Sequence, residues 1–303
     1  MVTSTLALPQ ATRRRRLRLK HVIPYLFVLP NLVIFAVFVF GPTLYSFWIS
    51  LTNWDGLGVP QFVGLANYQR LLTEPIFLAA VRNSVFYTVG TMAPMMVLAL
   101  GLALMLNSPL RGRIFFRTVI YIPVVISWVA GALVWQLIFL HPSGFMNAFL
   151  ALFGIPAQVW TNNPNLVLPA IIWMSIWKGL GFYMVIFLAG LQTIPPTMYE
   201  AAAIDGASKW NQFWNITLPL LRPTTLFVLV IGIIGSFEVF IPIFLLTGGG
   251  PGYSSMVMVM AIYRFGFETY ETGYASAIAV VLFLIILVAS MVQLRLFGRE
   301  VTY

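Results

Sequence analysis

The stretch that decides the fold runs Glu200-Ala-Ala-Ala-Ile-Asp-Gly-Ala-Ser-Lys209 and continues, after Trp210, Phe213 and Trp214, to Ile216-Thr-Leu-Pro-Leu-Leu-Arg-Pro223. It is a polar, patterned island between long apolar runs. Thr197-Met-Tyr-Glu200 reads as a capping box, with a hydroxyl for an early helix N–H and a glutamate three residues on, so a short helix is predicted to begin at Thr197. The alanines favour helix and Gly206 weakens or bends it. Trp210, Phe213, Trp214 and Thr217 then recur at i, i+3, i+4 and i+7, which predicts a second short helix with one aromatic stripe.

Around this island the chain is 60% hydrophobic and 8% charged, where a soluble domain carries about 25% charge. Such a composition predicts an all-α, polytopic membrane protein. A crossing needs about 20 apolar residues, and runs at 22–51, 84–106, 114–140, 165–191, 224–247 and 274–297 give six predicted helices. Residues 1–21 read as a basic tail, 22–298 as the transmembrane domain with its polar loop at 192–223, and 299–303 as a second tail. The first run is too long for a signal-peptide core and is expected to stay as an anchor. Prolines 24, 30, 42, 94, 123, 169 and 242 fall inside the runs and predict kinks.

Charge orients the bundle. Arg13 to Arg16, Arg18 and Lys20 precede the first run; Arg111, Arg113 and Arg117 follow the second; Arg295 and Arg299 close the sixth. By the positive-inside rule these ends and both termini are predicted to be cytoplasmic, which puts the Glu200 island inside as well. The net charge of +9 does not imply nucleic acid, because six of the 17 basic residues form that one juxtamembrane run, suited to anionic membrane lipid. Loops of about 32 residues at most leave no room for a folded soluble domain.

Several chemistries lack their parts. There is no cysteine, and His21 and His141 lie far apart in sequence, so no metal site is expected. No G-x-x-x-x-G-K-[ST] phosphate cradle occurs, and Gly248-Gly-Gly-Pro251 has no lysine and reads as a turn. No catalytic constellation emerges, and an enzyme is not expected. Two charges lie within apolar runs, where an ionisable group costs about 2.5–3.5 kcal/mol: Lys178, in Trp177-Lys178-Gly179, and Glu238, in Gly235-Ser236-Phe237-Glu238-Val239. Either they line a polar path or they pair with each other or a neighbouring subunit; an isolated Glu238 also leaves a proton-coupled carrier as the alternative class. Gly232, Gly235, Ser236 and Val239 share one helical face, fit for close helix contact or for an open pocket. Trp177, Phe182, Phe237 and Phe240 have faces on which a sugar ring stacks, or they serve as core.

The island's Glu200-Ala-Ala-x-x-Asp-Gly-Ala, with Ile216-x-Leu-Pro219 beyond, resembles the "EAA" loop of inner-membrane permeases of binding-protein-dependent ABC importers. Pro30-Asn31, Gly41-Pro42, Phe62-Val-Gly-Leu-Ala-Asn67-Tyr68, Leu188-Ala-Gly-Leu-Gln192, Leu246-Thr-Gly-Gly-Gly-Pro251 and Gly273-Tyr-Ala-Ser-Ala277 extend the likeness over roughly 22–298 to the carbohydrate-uptake branch, first permease of the maltose, lactose or glycerol-phosphate type. The resemblance implies a type I importer fold, a second homologous permease, a dimeric cytoplasmic ATPase that carries ATP and Mg, and an extracytoplasmic solute-binding protein. This chain would need no cofactor of its own. It implies that Glu200, Ala201, Ala202, Asp205, Gly206 and Ala207 form the helix that couples to the ATPase, and that sugar meets Ser175, Trp177, Lys178, Gly179 and Phe182 on one helix and Gly232, Gly235, Ser236, Glu238 and Val239 on the next. The maltose-type protein with extra amino-terminal helices and a large periplasmic insertion differs from this chain, whose first outer loop is short.

Overall fold

The computed structural model describes residues 15–108 and 111–297; the predicted tails, apart from 15–21, and Arg299 lie outside the described residues. The chain divides into two units, Met1–Trp48 and Ile49–Tyr303. In the first, helix α1 (Arg15–Phe35) passes through a π-helical turn at Ala36–Phe40 into α2 (Gly41–Ile49), whose last residue belongs to the second unit. Pro24–Ile49 is apolar and long enough for one crossing.

The second unit opens with a two-stranded antiparallel ribbon, β1 (Thr52–Asn53) and β2 (Gln61–Phe62), and a short helix α3 (Ala66–Leu71). Asn67 Nδ2 holds the ribbon base by donating to the Ser50 and Thr52 carbonyls at 2.8 and 2.9 Å. Then come α4 (Pro75–Asn107), α5 (Arg113–Val125), α6 (Trp128–Ile138), α7 (Phe145–Ala151) and α8 (Val167–Gln192). The polar island holds α9 (Pro196–Ile204), α10 (Lys209–Gln212) and α11 (Leu218–Leu220); α12 (Arg222–Phe237), α13 (Ile241–Leu246), α14 (Met258–Tyr263) and α15 (Thr272–Phe297) complete the unit.

The spine is α4 against α8, the most extensive helix pair. Ala80, Ala99 and Ala103 are fully buried on α4, and a Cβ on Gly90 would lie 2.8 Å from Ile172 Cδ1, so small side chains bring the two backbones close. Tyr87 donates across this seam to Ser175 Oγ at 2.8 Å. On its other side α8 receives α5 at Gly181, where a Cβ would stand 2.4 Å from the Ile120 carbonyl oxygen. Near the Gly248 end, Asn83 Nδ2 donates to the Tyr253 and Met256 carbonyls, and Ser84 Oγ accepts from Met258 N–H, which fixes the glycine-rich turn to α4. Arg70 closes that end, paired with Glu74 at 3.3 Å and with Glu271, and stacked on Tyr274; the hydrogen bond to Glu271 raises the guanidinium pKa above its ordinary value.

Three expectations need correction. The kink predicted from Pro123 in the run 114–140 is present but is a full break rather than a bend in one helix: α5 and α6 meet at 99° across Ile126 and Ser127. Pro123 removes an N–H from the last turn of α5, Ile126 turns extended, and Ser127 Oγ caps α6 by accepting from Ala130 N–H at 3.2 Å. The run 224–247 is also interrupted, after Phe237, with α13 restarting around Pro242. Finally, the second run is longer than 84–106, because Pro75 supplies an N-terminal start and α4 spans 33 residues. Among the described residues five helices are thus long and apolar enough to cross a membrane, and the bent α5–α6 pair makes six if it counts as one span.

Gly181→Leu is expected to destabilise the bundle by about 3 kcal/mol, because the backbone of α5 has to move aside. Gly101, with nothing near its missing Cβ, should accept alanine with no loss. Thermal unfolding of both variants in detergent checks the contrast.

Candidate functional site

The polar island folds as a braced lever between the end of α8 and the start of α12. Its first helix begins at Pro196, one residue ahead of the predicted start, with proline in the first turn where its missing N–H costs nothing. Thr197 therefore lies inside the helix, and no side-chain cap forms at its N-terminus; the predicted capping box is absent. The other end is decided by Gly206, at φ +77°. Gly206 N–H donates to Ala203 O at 3.1 Å and Ala207 N–H to Ala202 O at 2.8 Å, the paired bonds of a Schellman ending. Gly206 thus stops the helix rather than bending it, and Asp205 is the residue at its C-cap.

Ser208 Oγ then caps α10 by accepting from Asn211 N–H. The expected stripe is broken by a π-helical turn at Phe213–Thr217. Trp210, Phe213 and Trp214 remain in mutual ring contact, with centroids 5.3–6.1 Å apart. Thr217 instead turns inward and shares a hydrogen bond with Tyr199 of α9 at 3.0 Å, while buried Gln212 donates to the Ala207 carbonyl. Ile194 and Leu221, at the two feet of the lever, are buried in one apolar cluster with Ala103, Leu106 and Leu191. Glu200, Ala201, Asp205 and Gly206 stay exposed, Ala202 and Ala207 are partly covered, and Ile204 is 87% exposed. The lever is braced from below and open above.

The residues predicted for the path are only partly brought together. A cavity of about 240 Å³ is lined by Tyr87, Trp128, Gly235, Glu238, Val239, Phe240 and Ile241. Glu238 is not deep inside a helix: it is the C-cap of α12, at the break before α13, and its side chain is exposed. The face shared by Gly232, Gly235, Ser236 and Val239 divides in two. Gly232 packs on Met92, where a Cβ would stand 2.2 Å from the methyl carbon, and buried Ser236 bonds the Gly232 carbonyl. Gly235 faces open space and Val239 lines the cavity.

Lys178 is 5% exposed and does not pair with Glu238; the ion pairs among the described residues are those of Arg70. Its Nζ donates to the Val124 carbonyl at 3.1 Å and lies 5.1 Å from the centre of the Trp128 ring. The bend after α5 takes away that carbonyl's helical partner, and a cation suits the negative end of a helix. Ser175 is buried, accepting from Tyr87 and donating to the Ile171 carbonyl. Trp177 packs edge-on to Trp135, Gly179 lies against Met95, and Phe182 is exposed below. Sequence reasoning missed Trp128 and Tyr87 as cavity walls; the Pro123-to-Ser127 spacing, a helix stop followed by a cap residue, is the signal that finds Trp128. Among the described residues no cluster of three His, Asp or Glu is placed to hold a metal ion.

Residues 84–302 match the family described as binding-protein-dependent transport system inner membrane component. The chain is 36% identical over 286 residues to the probable ABC transporter permease protein YurN of Bacillus subtilis, covering 92% of this chain and 98% of that one. It is 35% identical to the trehalose/maltose transport system permease protein MalF of Thermococcus litoralis, over 91% and 93% of the two chains. Its backbone matches a chain of a bacterial alginate ABC transporter, solved in complex with alginate pentasaccharide-bound periplasmic protein, with a TM-score of 0.81 at 28% identity, over 96% of this chain and all of that one.

Gly206→Val, forced into a left-handed conformation, is expected to cost about 1–2 kcal/mol locally. Amide exchange across 203–208 should quicken roughly tenfold or more while α4 is unchanged.

Proposed function

The chain belongs to the family of inner membrane components of binding-protein-dependent transport systems, and on that premise we propose that it is one of two permeases in an ATP-driven importer of a sugar or a related polyol or sugar phosphate. The observation that carries this reading is the connection of lever to cavity. Residues 193–221 join the end of α8 to the start of α12; α8 carries Ser175 to Phe182, and α12 carries Gly232 to Phe237 with Glu238 at its C-cap. A force on the exposed Glu200–Ala207 surface therefore acts on α12, which brings Gly235 to the cavity wall, and on α8, which backs that wall through the Ser175–Tyr87 hydrogen bond.

Alternating access follows from that linkage. A partner ATPase dimer, holding ATP and Mg, binds Glu200, Ala201, Ala202, Asp205, Gly206 and Ala207, and its closure displaces the lever. The Schellman ending, the Tyr199–Thr217 bond and the buried feet keep the lever stiff, so displacement passes into α8 and α12 rather than into local unfolding. An extracytoplasmic binding protein delivers the solute at the opposite end, and the arginine distribution supports a cytoplasmic side for the lever and both termini. Among the described residues Ser175, Lys178 and Gly232 support the path from behind, whereas Gly235, Glu238 and Val239 face it. The names of relatives, one for trehalose and maltose and one for alginate, support carbohydrate as the solute class.

A proton-coupled carrier finds no support. Among the described residues that line the cavity Glu238 is the one carboxylate, and none is a histidine.

In proteoliposomes that contain the second permease, ATPase and binding protein, ATP should drive solute uptake, and this chain alone under a proton gradient should give none. Glu200→Lys and Gly206→Pro are expected to insert normally and to retain ATP hydrolysis while uptake falls at least tenfold. Uptake by both variants at the unmodified rate would remove the lever's role.

A further inference from the structure

We propose that the cavity between α4, α6 and the α12–α13 break takes neutral, hydroxyl-rich saccharide and turns away anionic ones, with Glu238 as the residue that sets the charge preference; this rests on the import reading above. Tyr87 donates its proton to Ser175 Oγ at 2.8 Å, and Ser175 donates its own to the Ile171 carbonyl at 2.8 Å. The Tyr87 proton is thus committed to Ser175 and is not offered to a ligand. Glu238 is an acceptor, on an exposed side chain at the helix break. The acceptor that the cavity presents is thus the Glu238 carboxylate, and the ligand that satisfies it is one rich in O–H donors.

The cation that the sequence offers for an anionic ligand is already committed. Lys178 is not on the cavity wall; its ammonium caps the Val124 carbonyl where α5 breaks, behind the face of Trp128. Releasing it to a ligand would leave a carbonyl at the broken end of α5 without a donor. Recognition of a phosphate or uronate calls for charge-assisted donors, ideally paired ones. The wall supplies none: its remaining members are Trp128, with one neutral indole N–H, Gly235, Val239, Phe240 and Ile241. Trp128 and Phe240 suit the apolar faces of a pyranose, and the open space at Gly235 leaves room for one. Two like charges about 5 Å apart in a partly solvated cavity weaken binding roughly tenfold.

The test uses the assembled pair of permeases with its ATPase in nanodiscs, without binding protein, so that the cavity's own preference is read. Saturation-transfer NMR titrations compare glucose with glucuronate and with glucose 6-phosphate, probes that differ in charge on one ring. Glucose is expected to bind at least about tenfold more tightly than either anion. Glu238→Gln should bring the ratio towards one, with Glu238→Ala as a second variant at this solvent-facing position. Lys178→Met should leave the ratio unchanged while slowing ATP-driven uptake in the full importer, and Lys178→Arg, which keeps a donor, should restore that rate in part. An anion that binds as well as glucose, a ratio that survives both Glu238 variants, or a ratio that shifts in Lys178→Met overturns the proposal. Binding of none of the three probes overturns it too, and in that case strikes the carbohydrate reading itself.

Discussion

In an apolar surrounding every backbone carbonyl must find a donor, and the rest of this bundle is arranged around one place where the helix does not supply it. The chain turns by 99° after α5, and the Val124 carbonyl is taken by the ammonium of Lys178 from α8. That bond fixes three things together: the direction in which α6 leaves, the position of Trp128 on the cavity wall, and the attachment of α5 to α8. Glycine at 181 makes the attachment possible by letting the backbones touch at Ile120. Burying a lysine is costly, and here the cost is offset by a carbonyl that would otherwise be unpaired and by the Trp128 ring.

From that junction the order of the bundle follows. α8 is the shared element, packed on α4 through small residues, on α5 through Gly181, and on the lever's base through Leu188 and Leu191. Since the lever leaves from the end of α8 and returns into α12, one foot stands on a helix that lines the cavity and the other on a helix that backs it through Ser175 and Tyr87. The lever itself is a surface element with little burial, held stiff by local hydrogen bonds, and its upper face is left for a partner. The opposite end has a different construction: there Asn83, Ser84 and the Arg70 cluster tie loops to helix ends, which suits a rim that holds its shape.

Much of this was readable beforehand. The apolar runs gave the helices because each crossing demands about 20 uninterrupted residues, and the Glu200 to Ala207 pattern marked the lever because a left-handed helix ending selects glycine. Boundaries were less legible. Thr197 and Glu200 carry the letters of a capping box, yet the proline pair at 195 and 196 starts the helix first and leaves the box inside it. Pro123 announced a kink in the third run but not its size or its place at Ile126, since Pro123 and Ser127 are both tolerated in a nearly straight apolar helix when neighbours satisfy the backbone.

The sequence by itself determined the class of molecule, the number of apolar segments and the place of the lever, because these follow from composition and from local backbone preferences. Only the tertiary structure decided what the two intramembrane charges do. Lys178 and Glu238 read alike along the chain, each an expensive group in an apolar run. One finds a carbonyl freed by a bend fifty-four residues away and is withdrawn into packing; the other ends a helix at an open cavity and faces what enters it. The difference lies in partners brought close by the folding of distant segments, and no local pattern records it.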